Sequence, residues 1–307
     1  MELNLKRMQM TPQISHFKIK KRLGSGSFGT VFSIEDKQGR SWALKRVAKK
    51  KQKMGREISI QARVNHKNCL PLSHWFFSTD LDGNLWQNTV MPLMSMSLCR
   101  YLKANKFLSQ PLTQYVFTEI LKGLEYLHSQ NLCHRDVTPS NILLELRHDA
   151  ISRVVISDFG ASAEMEEDAL SRRHITYITA RNYRAPELFL GVYDYGLPVD
   201  LWSIGCILFE CSVGSPAFSG KTDADHLRDM FSVLGSKDID FIILDRDIYE
   251  IYQWDVLGKD EEDEEYVPDH LHERLKDLIH SLLVYVPAKR LKALAHPFFS
   301  CDLSDFA

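Results

Sequence analysis

Two short clusters of polar residues in the middle of the chain carry the strongest chemical signal. The first is His-Arg-Asp at 134–136, followed five residues later by Asn141, and the second is Asp-Phe-Gly at 158–160. A carboxylate can accept the proton of a hydroxyl group, and amide and carboxylate oxygens are suitable ligands for Mg²⁺. Transfer of a phosphoryl group from ATP requires these parts. We therefore predict Asp136 as the catalytic base, and Asn141 and Asp158 as the Mg²⁺ ligands.

A glycine-rich segment near the start of the chain lies between two strand-like runs. It comprises Leu23, Gly24, Ser25, Gly26, Ser27, Phe28 and Gly29 and leads into Val31. Glycine lets the backbone approach a phosphate closely and direct N–H groups at it. A plain glycine hairpin is the alternative. A dinucleotide-binding loop would need a helix after its last glycine, whereas the run 30–34 is β-branched and strand-like.

Lys45 ends the apolar run 42–44, sixteen residues after Gly29. Its ammonium group would neutralise the α- and β-phosphates of ATP, although a lone lysine is more often a solvated surface charge. Glu57, in a segment predicted to be helical over 54–64, is the carboxylate best placed to pair with it. We predict Lys45 and Glu57 as part of the catalytic set.

The elements that must position these residues change in type along the chain. Strand-like runs dominate residues 17–91, with a turn at Asp82-Gly83. Helices dominate from about residue 97, and the segment 201–213 is apolar nearly all round, which predicts a buried helix. A helical stripe is formed by Val116, Ile120, Leu124 and Leu127. We place a domain boundary near Met94, between a small β-rich part and a larger α-rich part.

The composition is that of a soluble protein and excludes several classes. The chain has 307 residues, with 44% hydrophobic and 25% charged residues and a net charge of −2. The charge disfavours a nucleic-acid partner, and no apolar run is long enough to predict a membrane span. The six cysteines form no CxxC pair, which indicates reduced thiols in an intracellular protein, cytoplasmic or nuclear.

The order of the motifs identifies a family. The glycine-rich segment, Lys45, Glu57 and the two polar clusters are followed by Ala-Pro-Glu at 185–187. On these motifs residues 17–299 resemble the eukaryotic protein kinases. The stretches 181–188 and 199–206 resemble the group of cyclin-dependent, MAP and glycogen synthase kinases. Residues 56–59 and 296–299 are similar to the cyclin-dependent branch.

The resemblance implies an α+β, bilobal protein kinase fold with a small β-rich N-lobe, a larger α-helical C-lobe and an ATP cleft between them. It implies an N-terminal extension over 1–16, an N-lobe over 17–94, a C-lobe over 95–300 and a C-terminal tail over 301–307.

The resemblance also assigns roles at the nucleotide site and around the catalytic loop. Further adenine-site residues, beyond the glycine-rich segment and Lys45, would be Val31, Ala43, Met91, Pro92, Met94 and Leu143. Met91 would be the gatekeeper, and Pro92 and Met94 would bind adenine through their backbones. In the large lobe, Glu187 would pair with Arg290, and Asp200 would brace the catalytic loop.

The chain departs from the family pattern at three positions near the chemistry. Thr138 stands where related kinases carry a lysine that contacts the γ-phosphate, and loss of one such donor costs roughly 10²–10³ in rate. Ala180 stands where they carry a hydroxyl that bridges this lysine and the catalytic aspartate. Thr179, one residue earlier, could substitute if the loop shifts. Gln61 replaces an apolar residue, and a buried amide needs a hydrogen bond.

Several residues bear on how the chain would be regulated. Gly55 precedes Glu57 where the family's cyclin-recognition sequence would lie, so a cyclin-like activator is an open expectation. Phe28 has no hydroxyl, which excludes inhibitory tyrosine phosphorylation there. Tyr177 aligns with the activating tyrosine of MAP and glycogen synthase kinases; Thr176 lies beside it, and Ile175 takes the activating-threonine position of the cyclin-dependent branch. Arg135 would bind a phosphate on the activation segment, residues 158–187.

Two charge runs have a plain and a specific interpretation. The basic run 49–53 is either a solvated loop or a nuclear localisation or partner surface. The six acids at 260–265 predict an exposed loop, with partner docking as the alternative.

These inferences converge on a serine/threonine kinase that uses ATP and Mg²⁺, acts on protein substrates and prefers proline after the target residue. The pathway is left open, with cell cycle and transcription as the two alternatives. The alternative is a pseudokinase, a scaffolding or ATP-binding module with weak or no transfer. A small-molecule kinase is disfavoured by the complete segment around Ala-Pro-Glu.

Overall fold

The computed structural model describes residues 14–26, 29–165, 179–235, 267–290 and 292–301. The chain divides into two compact units. The first contains residues 1–96 together with 143–160, and the second contains residues 97–142 and 161–307. The segment 143–160 therefore packs with residues that precede it by about fifty positions or more, which sequence order alone does not reveal.

The first unit is built on a five-stranded antiparallel sheet with the order β1-β2-β3-β5-β4. The strands are β1 (Phe17–Gly26), β2 (Gly29–Asp36), β3 (Ser41–Lys49), β4 (His74–Thr79) and β5 (Leu85–Pro92). A tight turn joins β4 to β5, with the N–H of Gly83 donating to the carbonyl of Asp80 and Gly83 at φ +82°. The predicted turn at Asp82-Gly83 is confirmed.

The register of the sheet separates two sets of side chains, because successive residues of a strand point to opposite faces. Ala43 lies opposite Met91, and Leu44 lies opposite Val90. Leu44 and Val90 are buried on one face in a cluster with Ile34 and Phe76, against which Ile14 and Phe17 pack. Ala43, Lys45 and Met91, which are predicted to contact a nucleotide, lie on the other face.

A single short helix follows the sheet's third strand. The helix α1 (Arg56–Gln61) is shorter than the predicted helix over 54–64. Gly55 precedes it in an extended conformation and supplies no side-chain cap, and its N–H donates to the side chain of Gln87 at 2.9 Å. Glycine is a poor helix former, so the helix begins only after it.

A smaller three-stranded sheet has the order β6-β8-β9. Its strands are β6 (Met96–Ser97), β8 (Ile142–Arg147) and β9 (Ala150–Ile156). The end of β9 is bound to the segment that precedes β4, because the N–H of Leu70 donates to the carbonyl of Ile156 at 2.8 Å. This contact fixes the backbone that leads into Asp158.

The second unit is mainly helical. Its helices are α2 (Leu98–Asn105), α3 (Gln110–Ser129), α4 (Pro186–Phe189), α5 (Pro198–Val213), α6 (Asp223–Leu234) and α7 (Glu273–Leu282), and the strands β7 (Leu132–Cys133) and β10 (Ala163–Glu164) pair with each other. The stripe predicted on α3 is buried, as is most of α5. Gly205 lets α5 approach α7 closely, since a β-carbon there would lie 2.8 Å from Leu283.

The β-rich first unit and the helical second unit confirm the predicted α+β class. Across the described residues, no helix combines the length and the apolar character needed to cross a bilayer.

His226, on α6, is expected to make the stability of the second unit depend on pH. The residue is fully buried, and its ring stacks on Phe189 with 5.1 Å between centroids. Burial lowers its pKa to about 4; Asp229 and the backbone of Gly220 oppose the shift, and Arg181 and Arg184 reinforce it. Because the unfolded chain has a His pKa near 6.5 and binds the proton first, stability is present above that value and falls as the pH drops towards 4.

We expect a loss of about 3 kcal/mol of unfolding free energy between pH 6.5 and pH 4 from this residue. Urea unfolding at several pH values measures it, with His226→Phe as the matched variant because phenylalanine fills the aromatic stack without titrating. The variant's pH profile should be flatter by that amount. Identical profiles for both proteins would contradict the assignment.

Candidate active site

One lysine of the first unit binds two carboxylates. The Nζ atom of Lys45 lies 2.7 Å from Glu57 Oε1 and 3.0 Å from Asp158 Oδ1. Lys45 comes from the middle of β3, Glu57 from the first turn of α1 and Asp158 from the backbone after β9. Three residues that are up to 113 positions apart thus meet at one ammonium group, as the sequence predicted for Lys45 and Glu57.

The pKa values of Lys45 and Glu57 depend on burial and on the charges of their neighbours. Burial alone would lower the pKa of Lys45, but the attraction of Glu57 and Asp158 outweighs it and the pKa is raised. Burial raises the pKa of Glu57, and the negative charge of Asp158 adds to this, against the opposing effect of Lys45. The lysine is therefore a fixed cation at neutral pH, which suits a role in binding phosphate.

The backbone at Asp158 is in the left-handed region, with φ +63°. The N–H of Gly160 donates to the same Asp158 Oδ1 atom at 3.1 Å. Non-glycine residues adopt this conformation rarely, and it is frequent at functional sites. It turns the Asp158 carboxylate back towards Lys45.

The glycine-rich segment forms the end of the β1–β2 hairpin. Pairing continues to Gly26 opposite Gly29, with an irregularity between Arg22 and Gly24. Ser25 pairs with Thr30, and Leu23, at the irregularity, is half exposed. Ser27 and Phe28 lie outside the described residues. The strand β2 after Gly29 confirms that no dinucleotide-binding helix follows.

Gly29 is the one glycine here that no other residue could replace without strain. Its φ is +124°, and a β-carbon would lie 2.4 Å from the carbonyl oxygen of Arg46. Gly24 and Gly26, by contrast, have no atom within 4 Å of the β-carbon position. The backbone of the hairpin is therefore open where a phosphate would approach it.

The residues predicted to contact adenine occupy neighbouring positions in the first unit. Val31 lies opposite Lys45 and Ala43 opposite Met91, while Pro92 pairs with Trp42. Met91 is buried with Leu70 and Val155, and Met94 and Leu143 pack against this cluster. The resulting surface is apolar and adjoins Lys45 along β3.

Asp136 and Asn141 lie together in the second unit. The Asn141 Nδ2 atom donates to the backbone oxygen of Asp136 and to its Oδ2 atom, both at 2.8 Å. The N–H of Asn141 donates to the carbonyl of Thr138 at 3.0 Å, closing a tight turn. This turn holds the amide so that its nitrogen faces the carboxylate, and its oxygen is the atom that can bind a metal ion.

Asp200 braces this loop, as the family resemblance implied. Its carboxylate accepts the backbone N–H groups of His134 and Arg135, each at 2.8 Å, and contacts His128 Nε2 at 2.9 Å. Burial alone would raise the pKa of Asp200, but the hydrogen bond and charge of His128 and the donors around His134 hold it below the ordinary value. The carboxylate is therefore ionised and anchors the loop.

The guanidinium group of Arg135 is buried and has defined partners. Its Nε atom donates to the carbonyl of Ala161 at 2.6 Å, and its Nη1 atom donates to the hydroxyl of Tyr195 at 3.0 Å. The contact with Tyr195 was not predicted, since nothing in the sequence separates it from the exposed Tyr193 two residues earlier. Tyr177, Thr176 and Ile175 lie outside the described residues, as does the acidic run 260–265.

The three departures from the family pattern have different structural outcomes. Thr138 is buried in the loop turn. Ala180 leads into a 3₁₀ turn, Arg181–Tyr183, while the hydroxyl of Thr179 donates to the carbonyl of Arg135 at 2.5 Å. Gln61 is buried, and its amide nitrogen donates to the carbonyl of Leu70 at 3.0 Å. Of the described residues, none bonds to its Oε1 atom.

A buried ion pair supports the segment after the catalytic loop. Arg290 Nη1 lies 2.6 Å from Glu187 Oε1, and Arg290 Nη2 lies 2.8 Å from Glu187 Oε2. The guanidinium group also lies over the ring of Trp202, 5.1 Å from its centroid. The predicted pairing of Glu187 with Arg290 is confirmed, in the two-bond geometry that makes such pairs strong.

Comparison with known proteins agrees with the fold. Residues 17–299 match the protein kinase domain family, and the chain belongs to this family. The β-rich first unit and the helical second unit agree with its bilobal fold.

Two relatives refine this assignment. Over 292 residues, 94% of this chain, it is 32% identical to a probable serine/threonine-protein kinase, glkA, of Dictyostelium discoideum. Over 212 residues, 69% of this chain, it is 35% identical to a probable serine/threonine-protein kinase MRK1 homolog of Encephalitozoon cuniculi (strain GB-M1). The matches span 59% and 64% of the length of these two relatives.

Proposed function

We propose that this chain is a serine/threonine protein kinase that transfers the γ-phosphate of ATP to protein substrates, with a preference for proline after the target residue. The observation that carries the proposal is the buried Lys45, held between Glu57 and Asp158 at 2.7 and 3.0 Å. A fixed cation beside an open glycine hairpin and an apolar surface is a suitable receptor for a nucleotide triphosphate.

The donor set fits magnesium. Asn141 offers an amide oxygen and Asp158 a carboxylate, and hard oxygen ligands with phosphates and water are the preferred environment of this ion. In the described residues no three His, Cys, Asp or Glu side chains converge on a metal position. Mg²⁺ bound with a nucleotide usually takes only one or two carboxylates from the protein. When bound, Mg²⁺ would neutralise charge on the β- and γ-phosphates.

Asp136 is the proposed base. Its carboxylate is oriented by Asn141 at 2.8 Å, and the loop that carries it is held by Asp200. In this position it would accept the hydrogen of a serine or threonine hydroxyl and direct the oxygen at the γ-phosphate.

The preference for proline rests on the backbone of Thr179. This residue has φ +66°, and its carbonyl oxygen accepts a hydrogen bond from Arg184 Nη2 at 3.0 Å. This hydrogen bond uses one of the two lone pairs of the carbonyl oxygen and directs the oxygen towards Arg184, so we expect it to be a poor acceptor for the N–H of a substrate residue. Proline has no N–H, whereas any other residue at this position would leave its N–H without a hydrogen-bond partner. The resemblance to the cyclin-dependent branch supports the same specificity.

We expect a Ser-Pro peptide to be phosphorylated with a kcat/KM about tenfold above that of its Ser-Ala counterpart, the ratio for one unpaired N–H group. Radiolabelled transfer from ATP–Mg²⁺ to a pair of peptides that differ only at this residue measures it. An N-methylated alanine at the same position is the matched control, because it also lacks the N–H, and it should be phosphorylated like proline. Equal rates for all three peptides would contradict the specificity but not the activity.

The second candidate function is a pseudokinase, which Thr138 and Ala180 favour because a lysine and a hydroxyl of related kinases are missing. The transfer assay separates the two, with ATP binding measured in parallel. Binding without transfer, in the presence and absence of a cyclin-like activator, would favour the pseudokinase. Restored transfer in the double variant Thr138→Lys/Ala180→Thr would identify the missing groups as the cause.

A further inference from the structure

The backbone of the catalytic loop is strained immediately before Asp136. Arg135 has φ +65°, in the left-handed region that residues other than glycine adopt rarely. Such a conformation persists where neighbouring groups fix it. The N–H of Arg135 is fixed by Asp200 Oδ1 at 2.8 Å, and its carbonyl oxygen is fixed by the hydroxyl of Thr179 at 2.5 Å.

The second of these contacts bears directly on Asp136. The carbonyl of Arg135 belongs to the peptide group whose N–H is that of Asp136, and this N–H donates to His134 Nδ1 at 3.3 Å. Because a peptide group is planar, a bond that holds the carbonyl also sets the direction in which the next residue leaves. The hydroxyl of Thr179 thus acts on the Cα position of Asp136.

The backbone of Thr179 also has an unusual conformation. A β-branched residue at φ +66° is a genuine outlier. Its carbonyl accepts a hydrogen bond from Arg184 and its hydroxyl donates to the carbonyl of Arg135, so each of these two groups has a partner in the second unit. The next residue, Ala180, has no hydroxyl, although related kinases place one there.

We propose that Thr179 is a positioning residue, which holds the peptide group between Arg135 and Asp136 and thereby orients the Asp136 carboxylate. Its hydroxyl acts through the backbone, on the carbonyl of Arg135. This inference rests on the proposed function of Asp136 as the base.

The experiment compares Thr179→Val, which keeps the branched shape and removes the hydroxyl, with Thr179→Ser, which keeps the hydroxyl. Thr118→Val is the matched control, because Thr118 also donates its hydroxyl to a backbone carbonyl, that of Gln114 at 2.6 Å, but within α3. Steady-state transfer to the Ser-Pro and Ser-Ala peptides gives kcat, both KM values and the proline preference. Hydrogen exchange of the segment 132–138 gives the mobility of the loop.

We expect kcat to fall about tenfold in Thr179→Val, the ratio for one hydrogen bond, with the KM for ATP within about twofold. Thr179→Ser should stay within about threefold of the wild type. The proline preference should not change, since Arg184 still binds the carbonyl. Exchange at 132–138 should be faster in Thr179→Val and unchanged in Thr118→Val.

Equal kcat values for the valine and serine variants would overturn the proposal. If the wild-type protein transfers phosphate to no peptide, the proposed function fails, and hydrogen exchange alone decides the role of Thr179. Faster exchange at 132–138 in the valine variant would then support its hold on the loop, and unchanged exchange would refute it.

Discussion

Replacement of Asp136 by asparagine is expected to lower kcat for phosphate transfer by about 10³-fold, within the range that general-base catalysis contributes. Asparagine has almost the same shape, so the packing of the loop is kept. Its amide cannot accept the hydroxyl proton, and its nitrogen would face the donor of Asn141, which lies 2.8 Å from the carboxylate. The binding of ATP, which depends on Lys45 and the first unit's sheet, should change little.

The measurement is steady-state transfer from labelled ATP, which gives kcat, with nucleotide binding followed by fluorescence. Asp149→Asn is a suitable control. Asp149 is exposed at the turn between β8 and β9, so this variant makes the same chemical change away from the site. A kcat within threefold of the wild type in Asp136→Asn would exclude Asp136 as the base.

Replacement of Arg290 by methionine is expected to destabilise the protein by about 3–5 kcal/mol, because it leaves a buried carboxylate without its partner. Both side chains are almost completely buried, at 0% exposure for Arg290 and 3% for Glu187. Arg290 also donates to the carbonyl groups of Val284, Pro198 and Tyr285, and these would lose a donor as well.

Urea unfolding measures this loss. The double variant Glu187→Leu/Arg290→Met is the informative comparison, since the removal of both charges should be clearly less costly than the removal of one. A single and a double variant of equal stability would show that the lost carbonyl contacts, and not the unpaired charge, dominate the effect.

Much of the fold follows from local patterns that the sequence displays. The apolar stripe of α3 and the uniformly apolar α5 predicted buried helices, and both are buried. The strand-like run after Gly29 correctly excluded a dinucleotide-binding loop. These features depend on residues close together in sequence, and side-chain periodicity records them directly.

The sequence predicted only part of the candidate site. Lys45 and Glu57 could be paired because both stand in motifs, and Asp200 could be placed by resemblance. The sequence pointed to a role for the Thr179 hydroxyl, but its actual partner, the Arg135 carbonyl, and the contact of Arg135 with Tyr195 could not be foreseen. Each depends on a backbone at positive φ or on packing between distant segments. The length of α1 was overestimated by two residues at its start, where Gly55 is a poor helix former, and by three residues at its end.

The alternation of side chains in β3 also limits how the length of this protein can vary. Leu44 belongs to the buried cluster and its neighbours Ala43 and Lys45 to the opposite face, so the deletion of one residue in β3 would exchange the two sets. The side chain of Lys45 would then point into the hydrophobic core. Insertions and deletions among homologues should therefore collect in the turns 37–40 and 81–84, where the side chains are exposed and the strand register is unaffected.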